Sequence, residues 1–214
     1  MHIPDGFVDL KTGVTTAVMS AAALAVAVKK SRETGDQKQV PLMGVMAAFI
    51  FAAQMVNFPV GGGTSGHLLG AALATYLLGP WSSMLVMSTV VIIQALFFQD
   101  GGVTALGSNL LNMAVLGSLV SYLIFRLLGD GRKVPVFVSA LLAGAASVLV
   151  AATACSLELA VSGTVPLKVV LPAMLGWHVL IGTGEGLITG AILAYLTRTQ
   201  MLPEITGSTA SMRR

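Results

Sequence analysis

Long apolar runs, separated by short polar or glycine-rich stretches, occupy most of this chain. Seven runs can be drawn when about 20 residues is taken as the length that spans a bilayer. The runs are Thr12–Val28, Val40–Phe58, His67–Leu78, Pro80–Phe98, Val103–Leu128, Val134–Cys155 and Val169–Leu196. The pattern predicts an all-α integral membrane protein with seven transmembrane helices, organised as one transmembrane domain over residues 1–214.

The third run, 67–78, is the shortest, and it follows a stretch that contains Pro59 and four glycines. Twelve residues rise only about 18 Å at ~1.5 Å per residue, well short of a core of roughly 30 Å. We therefore expect a glycine-rich loop of irregular backbone at membrane depth, ahead of a short third helix. Such backbone is tolerated only beside protein or a wet cavity, and broken segments often bind the cargo of transporters.

Composition and charge support the membrane interpretation. The chain is 55% hydrophobic and only 10% charged, whereas a soluble domain carries about 25% charged residues. With the amino terminus outside and the carboxyl terminus inside, ten of the twelve Lys and Arg residues lie inside, and only Lys11 and Lys168 lie outside. This is a topology signal and not a nucleic-acid-binding face. The acidic residues of segment 1–11 oppose a secretory signal, so we expect the first run to remain as a helix.

The first residues can form a metal chelate. We expect Met1 to be retained, because a bulky His2 disfavours its removal. The Met1 amine, the His2 amide nitrogen and the His2 ring could then enclose one ion in fused chelate rings. The chain has three histidines, and His67 opens a helix, where the dipole favours the neutral imidazole that ligates metals. We therefore predict a planar site with Met1, His2 and His67 as ligands, an arrangement that suits Ni(II) or Cu(II).

Other polar residues are candidates for surrounding or orienting these ligands. His178 is expected to pack or to form a hydrogen bond more than to ligate. Glu185 is an intramembrane carboxylate, for which two roles stay open. It could be protonated and hydrogen-bonded to a neighbour, or it could adjust the properties of a site or of a contact with a partner protein. Side chains near the outer ends of the runs could line a polar mouth. These are Asn57, Thr64, Ser65, Gln94, Gln99 and Asn109.

The chain contains no GxxxxGK[ST] phosphate loop, so it is not expected to be an enzyme that hydrolyses ATP by itself. Active uptake would need an ATPase partner or an ion gradient. One alternative is a free-standing, ion-coupled metal transporter in which Glu185 carries a proton. Another is an intramembrane hydrolase that uses Ser65 and His67, although no outward carboxylate is placed to orient that imidazole.

Several motifs together resemble the substrate-binding membrane component of cobalt and nickel energy-coupling-factor transporters. Two of them carry histidine: Met-His-Ile-Pro-Asp-Gly at 1–6 and Gly-Gly-Thr-Ser-Gly-His-Leu-Leu-Gly at 62–70. The match continues through Gly79-Pro80-Trp81, Gln94-Ala95-Leu96, Asp100-Gly101-Gly102, Ala105-Leu106-Gly107, Leu111-Asn112-Met113 and residues 182–189.

The resemblance implies a core of six helices with an extra amino-terminal helix, in a bacterial or archaeal cytoplasmic membrane. It implies a divalent ion as transported substrate, held by the amino terminus and His67. The opening motif favours Ni(II), while a Co(II) homologue that serves cobalamin synthesis stays open. The resemblance implies a transmembrane scaffold subunit and cytoplasmic ATPase subunits as partners. A small accessory membrane subunit is a further candidate partner.

Overall fold

The computed structural model describes residues 1–34, 39–60, 64–128 and 134–201. Its helices are α1 Leu10–Thr34, α2 Gln39–Gln54, α3 Ala71–Phe97, α4 Leu106–Asn109, α5 Gly117–Leu128, α6 Val136–Val161 and α7 Leu167–Arg198. A π-helical segment, Leu110–Leu116, joins α4 to α5. Two short strands, β1 Phe58–Val60 and β2 Thr64–Gly66, lie between α2 and α3.

The apolar runs correspond to helices, as predicted. Among the described residues, five helical segments are long and apolar enough to cross a membrane, and α2 is a shorter apolar helix of 16 residues. The predicted third and fourth runs form the two arms of α3, which meet at Gly79, where the backbone leaves helical geometry with φ 78° and ψ 167°. Glycine readily adopts a positive φ, and Pro80 cannot donate a helical hydrogen bond. These two residues therefore account for the bend.

We expected irregular backbone before the third helix. This expectation was wrong for Phe58–Val60 and Thr64–Gly66, which form a small antiparallel hairpin. Phe58 pairs with Gly66, and Val60 pairs with Thr64. Strand pairing satisfies backbone groups that lipid could not satisfy. The glycines 61–63 lie outside the described residues, as do the charged linkers 35–38 and 129–133 and the tail 202–214 that contributed to the charge count.

Close packing between α6 and α7 depends on small residues. A Cβ atom placed on Gly144 would lie 2.8 Å from the Gly186 backbone, and one placed on Gly182 would lie 3.1 Å from the Ala145 Cα atom. Small residues let helix backbones approach in this way within a membrane. The two helices therefore form a tight pair, and α7 carries both His178 and Glu185.

Helix α1 packs beside α4 and its π-helical extension. The Thr16 and Ser108 hydroxyls lie 2.9 Å apart, and the Ser20 hydroxyl donates a 2.8 Å hydrogen bond to the Gly107 carbonyl. These contacts bring the start of α1 close to the segment that follows α3. Of the residues that precede α1, Met1, His2 and Ile3 reach the interior of the helical bundle.

Candidate metal site

The first three residues are buried inside the bundle, with Met1 and Ile3 at 0% exposure and His2 at 3%. Asn109 fixes this segment through a pair of hydrogen bonds to the Ile3 backbone. The Ile3 amide donates to the Asn109 Oδ1 atom at 2.8 Å, and the Asn109 Nδ2 atom donates back to the Ile3 carbonyl at 3.1 Å. The Gly102 amide donates a further bond, at 2.8 Å, to the same carbonyl. The chain is therefore held by its backbone one residue after His2.

Further along, two aspartates attach the segment to neighbouring elements. The Asp5 Oδ1 atom accepts bonds from the Thr104 amide at 2.7 Å and the Thr104 hydroxyl at 2.6 Å, and these bonds lower the pKa of Asp5. The Asp9 carboxylate accepts from the Thr12 amide at 3.0 Å, at the start of α1, which is the usual role of Asp at a helix N-terminus.

Two consecutive glycines give the segment room. A Cβ atom on Gly101, whose φ is +94°, would lie 3.0 Å from the His2 ring, and one on Gly102 would overlap the backbone of Pro4 and Asp5. Side chains larger than hydrogen at these two positions would push the amino terminus out of its place. The Asp100-Gly101-Gly102 motif is thus a cradle for the first residues.

The structure brings Met1, His2, Ser65 and His67 together. The Met1 amine donates to the Ser65 carbonyl, and it also lies 3.2 Å from the Ser65 hydroxyl. The His2 amide donates to that hydroxyl at 3.3 Å. The rings of His2 and His67 have centroids 4.6 Å apart and an interplanar angle of 30°. The candidate nitrogen ligands of Met1 and His2 therefore lie close to that of His67, which is distant from them in sequence.

Hydrogen bonds to carbonyl oxygens define which ring nitrogens are free. The His2 Nε2 atom lies 3.1 Å from the Gln94 Oε1 atom, and the His67 Nδ1 atom lies 2.8 Å from the Leu68 carbonyl. A carbonyl oxygen only accepts, so both ring nitrogens carry the proton. The opposite nitrogens, His2 Nδ1 and His67 Nε2, keep a lone pair. Both are buried without a hydrogen-bond partner in the described parts of the chain.

Burial also keeps these groups neutral. It lowers the pKa of the Met1 amine from 8.0 to about 5, and it lowers the pKa of His2 from 6.5 to about 3, with the charge of the amine as a second cause. Asp100 Oδ1 lies 3.3 Å from His2 Nδ1. Because the His2 ring is neutral, this contact is not an ion pair. Partial burial raises the pKa of Asp100. Neutral nitrogens are the form that binds metal ions.

Side chains alone do not make a metal centre here. In the described ranges, no three His, Cys, Asp or Glu side chains form a group that could hold a metal ion. The amine and the backbone nitrogen of the terminus lie beside the two rings and are further candidate donors at this position.

The other predicted residues have different positions. Asn57 donates a 2.9 Å bond to Asp100, beside His2, whereas the Thr64 hydroxyl donates to the Met174 sulfur at 2.9 Å. The Glu185 carboxylate accepts bonds from the Leu69 and Gly70 amides, the latter at 3.0 Å. Glu185 thus fixes the start of α3, which follows His67, and does not contact the ligands through these bonds.

Sequence reasoning gave too little weight to several residues. Gln94 and Asn109 were predicted only as parts of a polar mouth, yet they hold His2 and Ile3. Glu158 was not considered, because the predicted run ended at Cys155. The structure continues α6 to Val161 and buries Glu158, which accepts a 2.6 Å bond from Asn112. An acidic residue one turn beyond an apolar run was the available signal.

Comparisons with known proteins agree on one family. Over 198 residues the chain is 41% identical to a protein of Archaeoglobus fulgidus provisionally named a fused nickel transport protein, covering 92% of this chain and 65% of that one. It is 34% identical over 209 residues to the cobalt transport protein CbiM of Geobacter sulfurreducens, covering 92% of this chain and 60% of that protein. The chain thus spans less than two thirds of the length of these two relatives.

A crystal structure of a transition metal transporter matches with a TM-score of 0.87 and 34% identity, covering 97% of each chain. A truncated transition metal transporter matches with a TM-score of 0.86 and 36% identity, covering 93% of this chain and 99% of that one. The family described as "Cobalt uptake substrate-specific transmembrane region" matches residues 2–202. The chain therefore belongs to this family.

Proposed function

We propose that this protein captures Ni(II) for import in a planar site of four nitrogens. The ligands are the Met1 amine, the His2 amide nitrogen, His2 Nδ1 and His67 Nε2. One observation carries the proposal: two buried imidazole nitrogens that have no hydrogen-bond partner among the described residues belong to rings 4.6 Å apart, beside a buried terminal amine. A buried polar atom without a partner is unfavourable, and a bound ion would satisfy both nitrogens together.

Charge balance in the loaded site is consistent with the surrounding groups. The His2 amide must lose its proton to bind the ion, which leaves a net charge of about +1 on the metal and its ligands. A buried charge is costly unless an opposite charge compensates it. The Asp100 carboxylate, 3.3 Å from His2 Nδ1 and held by Asn57, supplies that opposite charge.

The preference for nickel rests on the donor set. Four nitrogens in a plane suit Ni(II) and Cu(II), and Cu(II) binds more tightly in the Irving–Williams order. Availability of the metal or the shape of the cavity must then contribute to selectivity. Names of relatives mention nickel and cobalt, so a Co(II)-selective protein is the alternative, and its site would be distinguished by a non-planar geometry.

We further propose seven membrane-crossing segments, with the amino terminus outside and the carboxyl terminus inside. They are α1, α2, the two arms of α3, the continuous segment from α4 to α5, α6 and α7. In this arrangement a single domain in a bacterial or archaeal cytoplasmic membrane takes the ion from outside. It then works with a transmembrane scaffold subunit, cytoplasmic ATPase subunits and a small accessory membrane subunit.

The competing mechanisms are less well supported. The Glu185 carboxylate accepts hydrogen bonds from the Leu69 and Gly70 amides. If Glu185 carried a proton across the membrane, it would have to break these bonds, which fix the start of α3. Metal uptake by this chain alone, in vesicles without ATP, would favour that mechanism. The Ser65 hydroxyl contacts the amino terminus, and His67 Nε2 has no hydrogen-bond partner within the described ranges. The serine is therefore not paired with this imidazole as a hydrolase would require.

The decisive experiment blocks the terminus. Two residues, Gly-Ser, are added ahead of Met1, because a single added residue would create a new chelate of one amine, two amides and His2. The matched control carries the same two residues after Arg214. We expect the amino-terminal extension and His67→Ala each to weaken Ni(II) binding by more than the about 100-fold typical of losing an outer partner, and the control to bind normally. Unchanged binding by the extended chain would refute the proposal.

A further inference from the structure

All three histidines share one arrangement, although the proposed site uses only two of them. The His178 Nδ1 atom lies 2.7 Å from the Met174 carbonyl, one turn earlier in α7. This nitrogen therefore carries the proton, and Nε2 keeps the lone pair. His178 is 0% exposed, and its Nε2 atom has no hydrogen-bond partner within the described ranges. It thus resembles His2 Nδ1 and His67 Nε2.

His178 lies on the face of α7 that meets the hairpin. Met174, His178 and Ile181 follow the spacing of one helix face. Met174 accepts the bond from Thr64, and Ile181 would lie 3.0 Å from a Cβ atom on Gly66. His178 therefore lies between these two contacts, on the face of α7 that is next to Ser65. The Ser65 carbonyl accepts the hydrogen bond from the Met1 amine.

Packing alone does not account for this histidine. A buried acceptor without a donor is unfavourable in a low-dielectric interior, and an apolar side chain would fill the same space without that penalty. The position of His67 relative to α7 is also fixed, since Glu185, two turns after His178, holds the Leu69 and Gly70 amides. The two imidazoles are therefore attached to one rigid frame.

We propose that His178 Nε2 is a further metal donor, which pairs with His67 Nε2 and holds the ion when the amino-terminal chelate releases it. The two rings form a weak site for a divalent transition metal that does not need the terminal amine. An ion that leaves Met1 and His2 then has a next position inside the protein. This inference rests on the proposed function, because it assigns the following step of the same ion.

The test uses the chain extended by Gly-Ser ahead of Met1, probed with Ni(II) and Co(II) separately. We expect weak binding that His178→Phe and His178→Gln each reduce by about tenfold or more, while the control Thr183→Ala, an exposed position on α7, leaves it unchanged. X-ray absorption of the nickel-loaded extended chain should show two imidazoles, and one in the His178 variants. With the natural terminus, both variants should bind within about threefold of the parent, which also shows that they fold.

Three results would overturn the inference. The extended chain could bind no metal, it could bind equally well with and without His178, or both variants could lose tight binding with the natural terminus. In the last case His178 belongs to the resting site or to the fold. Full affinity of the extended chain would instead contradict the proposed function itself, so the two failures are distinguishable.

Discussion

The amino-terminal segment 1–9 and the α6–α7 pair are held by opposite means. Polar side chains fix the segment, chiefly Asn109 on Ile3 and Thr104 on Asp5. The helix pair is held by glycines that let two apolar helices approach, such as Gly144 facing Gly186. Damage to the first region should therefore change metal affinity with little effect on folding, whereas damage to the second should change both together.

The largest effect should follow Gly186→Val. A Cβ atom at this position would lie 2.5 Å from the Leu141 carbonyl oxygen, so the helices must separate. Overpacking of this kind costs about 1–3 kcal/mol or more. We expect the free energy of unfolding in detergent to fall by about 3 kcal/mol, and nickel binding to fall in proportion to the folded fraction. Gly184→Val, at a position with no heavy atom within 4 Å, is the control.

Asn109→Leu should separate binding from folding. The substitution leaves the Ile3 amide without its partner, and a buried unpaired group costs about 1–3 kcal/mol. The segment can leave the bundle and avoid this cost, so we expect Ni(II) affinity to fall by about 10- to 100-fold while thermal unfolding of the helices changes little. A large loss of thermal stability with normal affinity would contradict the comparison.

Gln94 should act on the His2 ring without affecting the backbone. Gln94→Leu removes the acceptor that keeps the proton on Nε2, and partners of this kind are worth about 10- to 100-fold in metal affinity. Gln94→Glu retains the acceptor, so binding should largely return. The absorption bands of the nickel complex should shift in the Leu variant and stay near their original position in the Glu variant. Equal losses in both variants would assign Gln94 to packing.

The smallest expected effect is the number of protons released when Ni(II) binds, and it reports specifically on the protonation of the ligands. At pH 7 the Met1 amine and His2 are already neutral, with pKa values near 5 and 3, so only the His2 amide loses a proton. Calorimetry in several buffers should therefore give about one proton per Ni(II). Affinity falls as pH falls, more steeply below about pH 5, where the amine must also lose a proton. Release of about two protons at pH 7 would mean that the terminus is exposed.

Much of the molecule could be predicted from the sequence. The apolar runs gave the helices because membrane length and hydropathy act locally, although the two runs on either side of Gly79 form one bent helix and not two separate ones. The pairing of the terminus with His67 followed from the scarcity of other ligands, and the two rings do lie together. The hairpin at Phe58–Val60 and Thr64–Gly66 was missed, because three-residue strands among glycines carry too few side chains to show an alternating pattern.

The sequence by itself determined a hydrophobic multi-helix chain with three histidines and a terminus able to chelate. Only the tertiary structure decided which ring nitrogens are free. That choice depends on carbonyl oxygens of Gln94, Leu68 and Met174 and on burial that removes water as a competing partner. Tautomer and desolvation are properties of the surroundings in space, and residue order does not specify them.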